Sequence, residues 1–510
     1  MLAYLKRLAA TGAAYTASSV IAKLIAVALL PLYTRHLTRA DYGAAEVLLA
    51  TVVALSIMVR LGIIEALLRF YFQYDDQRER DDVVRSSFAF LLLTSTAGAL
   101  IAAAFAGPLS EFVLDRRDTE LMLIAIAGLW LFTNYELLMA MFRLDERARA
   151  YFIARLANVL LTVLFTVWLV VLRDEGARGL LVGNFAGTAV ILVGLLYVHR
   201  RRLALVPSAA LLRPMLRFGL PTMPAELSLY ALNLIDRIML VRFVGLAEAG
   251  LYSLAVKFSQ VVTVVVRAFN LAWPPLAYSI RDDEEARRTY AFIVTYFLLL
   301  ASVLVLGLSL EARWVARALA APQFFESYKA VPLVSTGVTL YALYMVLVVV
   351  MGRVGRTEFN FPVTATAAGV NVALNLALVP PYGLVGAGLA LVGSYLVMLA
   401  LMYLVTRRFF AVPYQWGRLA RIVVLAGATF AAGELLLPTS GVAGFLLRAA
   451  LVPLYGLLLY LSGFFNPEEL AYLRRLRERV RSRTQESPQA AQDLEALQRR
   501  TELMEDMHET

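Results

Sequence analysis

The chain has 510 residues, of which 60% are hydrophobic and only 17% are charged, and its mean hydropathy is +0.70. Soluble domains carry about 25% charged residues, so this composition excludes a soluble globular protein and indicates an integral membrane protein. The net charge of +10 is typical of basic cytoplasmic loops, and we expect no nucleic acid among the partners. The sequence has no cysteine and three widely spaced histidines, which argues against disulfides, thiol chemistry and a bound metal.

Apolar segments recur from one end of the chain to the other. We count about fourteen that are long enough to cross a bilayer, which takes about 20 residues. The fold class that they predict is an all-α integral membrane protein, and the segments between them are too short for a separate soluble domain. The predicted spans 1 to 14 are residues 12–34, 42–67, 84–106, 120–142, 151–172, 179–198, 215–241, 248–272, 290–311, 329–352, 358–380, 384–406, 419–437 and 443–463.

The arginine and lysine residues of the connecting loops predict the orientation. Loops after even-numbered spans are richer in arginine than loops after odd-numbered spans. Because cytoplasmic loops carry an excess of Lys and Arg, we predict that the even-numbered loops and both termini are cytoplasmic. The protein is then a multi-pass protein of the cytoplasmic (inner) membrane.

The sequence also contains an internal repeat with an offset of 207 positions. It pairs Arg35 with Arg242, Gly43 with Gly250, and Arg60 with Arg267. Six spans per half predict two parallel lobes with a substrate site at their interface. The predicted parts are an N-terminal lobe with spans 1 to 6 (1–206), a C-terminal lobe with spans 7 to 12 (207–412), spans 13 and 14 (413–465), and a cytoplasmic amphipathic helix with a mobile tail (466–510) that should be dispensable for folding.

Charged and polar residues concentrate in spans 1, 2, 7 and 8. In spans 7 and 8 they recur every three or four residues, so each helix presents one polar face. Ionisable groups at membrane depth are costly and normally face a bundle interior or a wet cavity. The pattern therefore predicts a central cationic cavity. Its candidate residues are Lys23, Arg60, Asn233, Arg237, Lys257, Gln260, Arg267 and Asn270. Two structural interpretations stay open: an ion pair between Asp236 and Arg237, and a Lys257 side chain that extends to the helix end.

Several segments carry a resemblance to a known family. They are FGLP at 218–221, DRIML at 236–240, AGLYS at 249–253, AWPP at 272–275, PLYTRHLTRADYG at 31–43, LGIIEALLRFYF at 61–72 and NVALNLALVPPYGLVGAGLA at 371–390. The chain resembles the oligosaccharide-repeat-unit (O-antigen/polysaccharide) flippases of the multidrug/oligosaccharidyl-lipid/polysaccharide exporter superfamily. That resemblance implies two six-helix lobes plus two extra helices around a cationic cavity, and a polyprenyl-pyrophosphate-linked glycan as cargo. The N-terminal pattern of the peptidoglycan-precursor flippases of the same superfamily is not found.

The function expected from the resemblance is a flippase that moves a lipid-linked oligosaccharide across the membrane by alternating access. Arginine forks and lysine point charges suit its phosphate oxygens. The expected partners are this substrate, membrane lipids and the polysaccharide polymerase or export machinery. A cation-coupled multidrug-type antiporter of the same fold is an alternative, although the basic excess argues against it. A membrane glycan polymerase or ligase is a further alternative, but no enzyme signature is found, and we expect neither catalysis nor a cofactor.

Transport against a gradient needs an ion that binds the two states differently. We expect H⁺ or Na⁺, carried by a buried carboxylate whose environment lets its proton cycle. The candidates are Glu226, Glu65 and Asp236. Glu226 ranks first because no base lies within one turn of it on span 7 and because it adjoins the Pro221–Pro224 bend.

Overall fold

The computed structural model describes residues 20–466 and residue 469. In this part the chain forms helices joined by turns and no strand, which confirms the all-α class. The helices α1 to α14 are numbered after the predicted spans that they match. They are α1 (20–28 and Leu30–His36), α2 (Arg39–Arg60), α3 (Gln77–Ala104), α4 (Thr119–Leu144), α5 (Ala148–Val167), α6 (Gly176–His199), α7 (Met223–Phe243), α8a (Leu246–Phe258), α8b (Gln260–Ser279), α9 (Asp283–Leu310), α10 (Val331–Arg353), α11 and α12 (together Asn360–Phe409), α13 (Trp416–Leu436) and α14 (Gly441–Leu461).

The helices confirm a multi-pass membrane protein. Within residues 20–466, eleven helices are long and apolar enough to cross a membrane. The first predicted span lies partly outside the described residues, and α7 falls outside this set because it carries four charged residues. The segment Asn360–Phe409 is one of these eleven helices, yet a helix of its 50 residues is much longer than the bilayer core is thick, at roughly 30 Å. The count of fourteen crossings stays a prediction.

Three local breaks set the directions of the spans. Gly383 has φ 53° and ψ −129° and separates α11 from α12. Leu61 and Gly62, with φ 50° and 69°, end α2 in the left-handed region. Predicted span 8 is interrupted at Ser259, whose hydroxyl donates to the carbonyl of Ala255 at 3.0 Å. Such a bond to the preceding turn bends helices, and this break separates Lys257 on α8a from Arg267 on α8b.

The two halves approach closely where α2 and α8a cross at two glycines. A Cβ on Gly43 would lie 2.0 Å from the carbonyl oxygen of Leu246, and a Cβ on Gly250 would lie 2.3 Å from that of Arg39. Only glycine allows backbones to approach this closely. Arg39 and Leu246 are themselves 207 positions apart, so the two helices exchange equivalent contacts, as the predicted repeat requires.

The helices pack as two groups. Helices α2 to α6 pack mainly on one another and form the N-terminal group, whereas α7 to α12 form the C-terminal group. The groups meet chiefly where α2 crosses α7 and α8a, and α13 and α14 pack against the outside of α9. The lobe boundaries after residues 206 and 412 stay predictions. This packing places all four polar spans where the two groups face each other.

The structure ties the start of the C-terminal tail to the bundle. Arg418 at the beginning of α13 is buried and donates two hydrogen bonds to the Glu469 carboxylate, at 3.0 and 2.9 Å. Burial raises the pKa of Glu469, but hydrogen bonds from the Asn466 amide and Arg418 outweigh that effect and hold the pKa below its usual range. A chain that ended at Asn466 would leave the buried Arg418 without this carboxylate, which argues against a dispensable tail at this residue. The predicted amphipathic helix beyond it lies outside the described residues.

Candidate functional site

Arg60 joins the two groups of helices at the predicted cytoplasmic end of α2. Its Nη2 donates to Oε1 of Glu226 on α7 at 2.9 Å. The Arg60 side chain is 12% exposed and that of Glu226 is 42% exposed, so the carboxylate is the more accessible partner. The Glu65 carboxylate also interacts electrostatically with Glu226. Arg60 therefore holds one of two neighbouring acids, and Glu226, which has no base within one turn on its own helix, finds one on α2.

Next to this ion pair, the backbones of the two groups of helices are in direct contact. A Cβ on Gly62 would lie 2.0 Å from the carbonyl oxygen of Gly219, and a Cβ on Gly219 would lie 2.3 Å from that of Gly62. The guanidinium of Arg69 lies 4.3 Å from the ring centroid of Phe218. The turn after α2 thus packs directly on the segment that leads into α7, and the two groups touch at their predicted cytoplasmic ends.

Lys257 forms a second ion pair between the groups. Its Nζ donates to Oε1 of Glu46 on α2 at 2.5 Å and lies 5.4 Å from the ring centroid of Tyr42. The side chains of Lys257 and Glu46 are 22% and 9% exposed. Lys257 was predicted to bind substrate, with extension to the helix end as the alternative. The structure places it in a buried ion pair, because α2 brings a carboxylate to it; substrate binding by Lys257 stays a prediction.

The groups also touch at the predicted outer end. The backbone amide of Ala321 donates to the Thr34 hydroxyl at 2.9 Å, and the Gln323 amide donates to the carbonyls of Thr34 and Leu37 at 3.2 and 3.1 Å. Contacts therefore join the groups at both ends, and the remaining predicted residues lie along the helices between these contacts.

Lys23 and Arg267 form the cationic part of the site. Lys23 on α1 is half-buried and Arg267 on α8b is exposed, and their charges interact. The electrostatic influence of Arg267 extends to the Tyr341 hydroxyl. Two cations held near each other at membrane depth repel, so this arrangement favours an anion that can neutralise both.

Several buried polar atoms of the predicted site lack a hydrogen-bond partner in the described part of the chain. They are Nε of Arg60, Nε of Arg237 and Oδ1 of Asn270. Such atoms are rare in proteins and cost free energy, which indicates a ligand or water at the site. Asn233 instead forms a side-chain hydrogen bond with Tyr395. Gln260 is half-buried and opens α8b directly after the break.

Asp236 lies apart from these cations, in a fully buried polar cluster of the C-terminal group. Its carboxylate accepts hydrogen bonds from the Tyr252 hydroxyl at 2.9 Å and from the side-chain amides of Asn371 and Asn375 at 2.9 and 2.8 Å. These three donors, and not an ion pair with the adjacent Arg237, hold it. Consecutive residues of a helix point in different directions, which explains why the two charges separate.

Sequence reasoning missed the partners that neutralise the predicted groups. Glu46 lies within predicted span 2 as an acid at membrane depth, a signal that could have identified it. Asn371 and Asn375 are four residues apart in span 11, and that spacing places both on one face. What the sequence did not contain was the contact between α7 and α11 that brings Asp236 to them.

Comparisons with known proteins place this geometry in a family. The sequence pattern described as polysaccharide biosynthesis protein matches residues 8–280, which is more than half of the chain. The chain belongs to the polysaccharide biosynthesis protein family. A curated member of similar sequence is an uncharacterised membrane protein of Methanocaldococcus jannaschii, 20% identical over 410 residues that make up 75% of this chain and 80% of that protein.

Solved structures share the fold of this polysaccharide biosynthesis protein. The lipid II flippase MurJ in an inward closed conformation has a TM-score of 0.71 at 12% identity, covering 88% of this chain and 97% of MurJ. An inward-facing multidrug resistance MATE family transporter of the MOP superfamily has a TM-score of 0.61 at 15% identity, covering 76% and 98%. The family model confirms the predicted polysaccharide family, and the fold is the one seen in these two transporters.

The ion pair between Lys257 and Glu46 predicts a particular pattern of stabilities. Either Glu46→Gln or Lys257→Met alone leaves a buried charge without its partner and should destabilise the fold by about 3 kcal/mol. The double variant leaves neither charge and should recover most of the loss. The measurement is thermal unfolding of the purified protein in detergent. If the double variant is as unstable as the sum of the single variants, the two residues are not paired.

Proposed function

We propose that this protein moves a polyprenyl-pyrophosphate-linked oligosaccharide across the cytoplasmic membrane by alternating access, in the biosynthesis of a cell-surface polysaccharide. The family and the fold support a membrane transporter of the flippase type. The observation that carries the substrate class is the electrostatic interaction of two cations, Lys23 on α1 and Arg267 on α8b. Nearby, Arg60 and Arg237 each keep a buried Nε atom without a partner among the described residues.

Physical chemistry favours a pyrophosphate as the group that these cations hold. A charged head group cannot enter hydrocarbon without a large cost in solvation. Guanidinium groups donate to phosphate oxygens in pairs, and such charge-assisted bonds are among the strongest in proteins. A pyrophosphate would donate no proton but accept bonds from the cations that it reaches, and it would relieve the repulsion between Lys23 and Arg267. The polyprenyl chain would meanwhile stay in the lipid.

The ion pair between Arg60 and Glu226 suggests how binding leads to movement. Arg60 belongs to the N-terminal group and Glu226 to the C-terminal group, so their bond ties the two together. Phosphate oxygens that reach Arg60 compete with the Glu226 carboxylate. When they replace it, one of the contacts at the cytoplasmic end is lost, and the lobes can rock around the Gly43–Gly250 crossing.

A multidrug-type antiporter shares the fold, so the fold does not decide between the two functions. Binding of a cationic cargo would need free carboxylates between the helix groups. Glu46 and Glu226 are instead paired with Lys257 and Arg60. The charges therefore favour an anionic cargo.

The proposed arrangement in the cell follows from the sequence. The lobes are residues 1–206 and 207–412, both termini lie in the cytoplasm, and the protein resides in the inner membrane. The arginine-rich loops support this orientation. The protein acts as a transporter without catalysis and hands its product to a polysaccharide polymerase or to export machinery.

For ion coupling, the structure favours Asp236 over the first-ranked Glu226. Glu226 is paired with Arg60 and serves the movement described above, and Glu65 lies beside that pair. Asp236 is fully buried and bonded only to neutral donors, and the Oδ1 atoms of Asn371 and Asn375 lack partners in the described part of the chain. A proton or a sodium ion could therefore bind there.

Asp236→Asn should keep substrate binding but lose any response of transport to an imposed H⁺ or Na⁺ gradient. An unaltered response to both gradients would exclude this site.

Removal of the central cations should abolish transport. In proteoliposomes that contain a polyprenyl-pyrophosphate N-acetylglucosamine probe, Arg60→Ala and Arg267→Ala should each reduce flipping at least about tenfold, since each removes a charge-assisted bond to phosphate. Arg407→Ala changes an exposed arginine at the end of α12 and serves as the matched control. Full flipping by an Arg60→Ala/Arg267→Ala double variant would contradict the proposed function.

A further inference from the structure

A second polar cavity lies beside the cationic residues, inside the N-terminal group. It has a volume of about 280 Å³ and is enclosed by α1, α2, α4, α5 and α6. The ion pair of Lys257 with Glu46 forms part of its wall, and Tyr42 beside that pair interacts electrostatically with Arg237. The cavity therefore adjoins the site proposed for the pyrophosphate. None of the functions assigned above uses it.

The lining of this cavity is rich in hydroxyl and amide groups. The Asn158 amide donates to the Thr188 hydroxyl at 3.3 Å, and the Thr162 hydroxyl donates to the carbonyl of Asn184 at 3.4 Å. Ordinary hydrogen bonds of these types are shorter, at about 2.7–3.2 Å. The groups are thus loosely bonded to one another and keep capacity for a ligand. By contrast, a cavity beside α13 is lined almost entirely by aliphatic and aromatic side chains.

The charges of the cavity are balanced within its own walls. Arg155 lies 3.5 Å from the Glu136 carboxylate and donates to the Tyr135 hydroxyl at 3.4 Å. Lys257 is paired with Glu46. The cavity is therefore strongly polar without a free cation among these residues, which makes it unsuited to a phosphate. A neutral ligand with many hydroxyl and amide groups matches it better, because each such group can satisfy a buried partner.

The depth of the cavity fits a transported group. Asn158 and Thr162 lie in the middle of α5, which runs from Ala148 to Val167. Substrate sites of transporters with repeated lobes lie near the middle of the bilayer. Hydrocarbon surrounds the protein at this depth, so a polar cavity there must be filled by water or by a polar ligand.

We infer that this cavity binds the sugar nearest to the lipid in the lipid-linked oligosaccharide while the neighbouring cations hold its pyrophosphate. The inference rests on the proposed function and adds a separate subsite for the sugar. Sugars present hydroxyl and acetamido groups, which pair with Asn, Thr and Tyr side chains and with Arg. The cavity then selects cargo by the sugar nearest to the lipid, whereas the cations bind any polyprenyl pyrophosphate.

The test compares two probes on the purified full-length protein: polyprenyl pyrophosphate alone and polyprenyl-pyrophosphate N-acetylglucosamine. In the Asn158→Leu/Thr188→Val variant both members of one hydrogen bond are replaced by apolar groups of similar size. The Asn184 carbonyl, which also accepts from the Thr188 hydroxyl, keeps its bond from Thr162. We expect affinity for the sugar-bearing probe to fall about tenfold or more, as the loss of one or two buried hydrogen bonds implies. Affinity for the bare pyrophosphate should stay within about twofold of the parent.

Leu160→Val is the matched control, because Leu160 lies on the same helix with its side chain 53% exposed on the outer surface. It should bind both probes like the parent. If the Asn158→Leu/Thr188→Val variant also binds both probes like the parent, or if the parent binds the two probes equally, the cavity is not a sugar subsite and the proposed function still stands. If the parent binds neither probe, the proposed function itself fails.

Discussion

The cost of placing charge inside a membrane determines this structure. An ionised side chain in hydrocarbon is expensive, yet α2, α7 and α8a carry several at membrane depth. The structure lowers this cost by pairing charges between its two groups of helices: Lys257 with Glu46, and Arg60 with Glu226. Both pairs form only when the groups meet. The ion pairs that neutralise the charges therefore also hold the two groups together. A ligand that competes for one ion pair changes the position of one group relative to the other.

Glycine makes this meeting possible. At Gly43 and Gly250 the backbones of α2 and α8a are close enough that a single Cβ would overlap a carbonyl oxygen. That approach brings Glu46, one turn beyond Gly43, within reach of Lys257. The other cations of the proposed site take a different role. Lys23 and Arg267 repel each other, and Arg237 keeps a buried Nε atom unsatisfied among the described residues, so these positions suit an anionic ligand.

Local pattern predicted the helices well, because each span is a long apolar run with its own breaks and charges. It also predicts a repeat with an offset of 207 residues. In the structure, Gly43 contacts Leu246 and Gly250 contacts Arg39, and these two contacts are equivalent under that offset. It could not predict which acid meets which base, since those distances depend on how helices distant in sequence cross. Glu226 has no base within one turn on its own helix, yet α2 places Arg60 beside it. In the same way, an ion pair with Arg237 is one interpretation of Asp236 from sequence, but its hydrogen-bond partners come from α8a and α11.

The central claim is that substrate and Glu226 compete for Arg60 and that this competition moves the lobes. The chain contains no cysteine, so spin labels can be attached at Arg78→Cys and Arg281→Cys, two exposed positions at the predicted cytoplasmic ends of the two groups. The decisive measurement is the distance distribution between these labels, by double electron–electron resonance, with and without polyprenyl pyrophosphate. The account predicts that the ligand shifts the distribution and that Glu226→Gln produces the shifted distribution without ligand. An unchanged distribution in a protein that binds the ligand, or a Glu226→Gln variant identical to the parent, would contradict it.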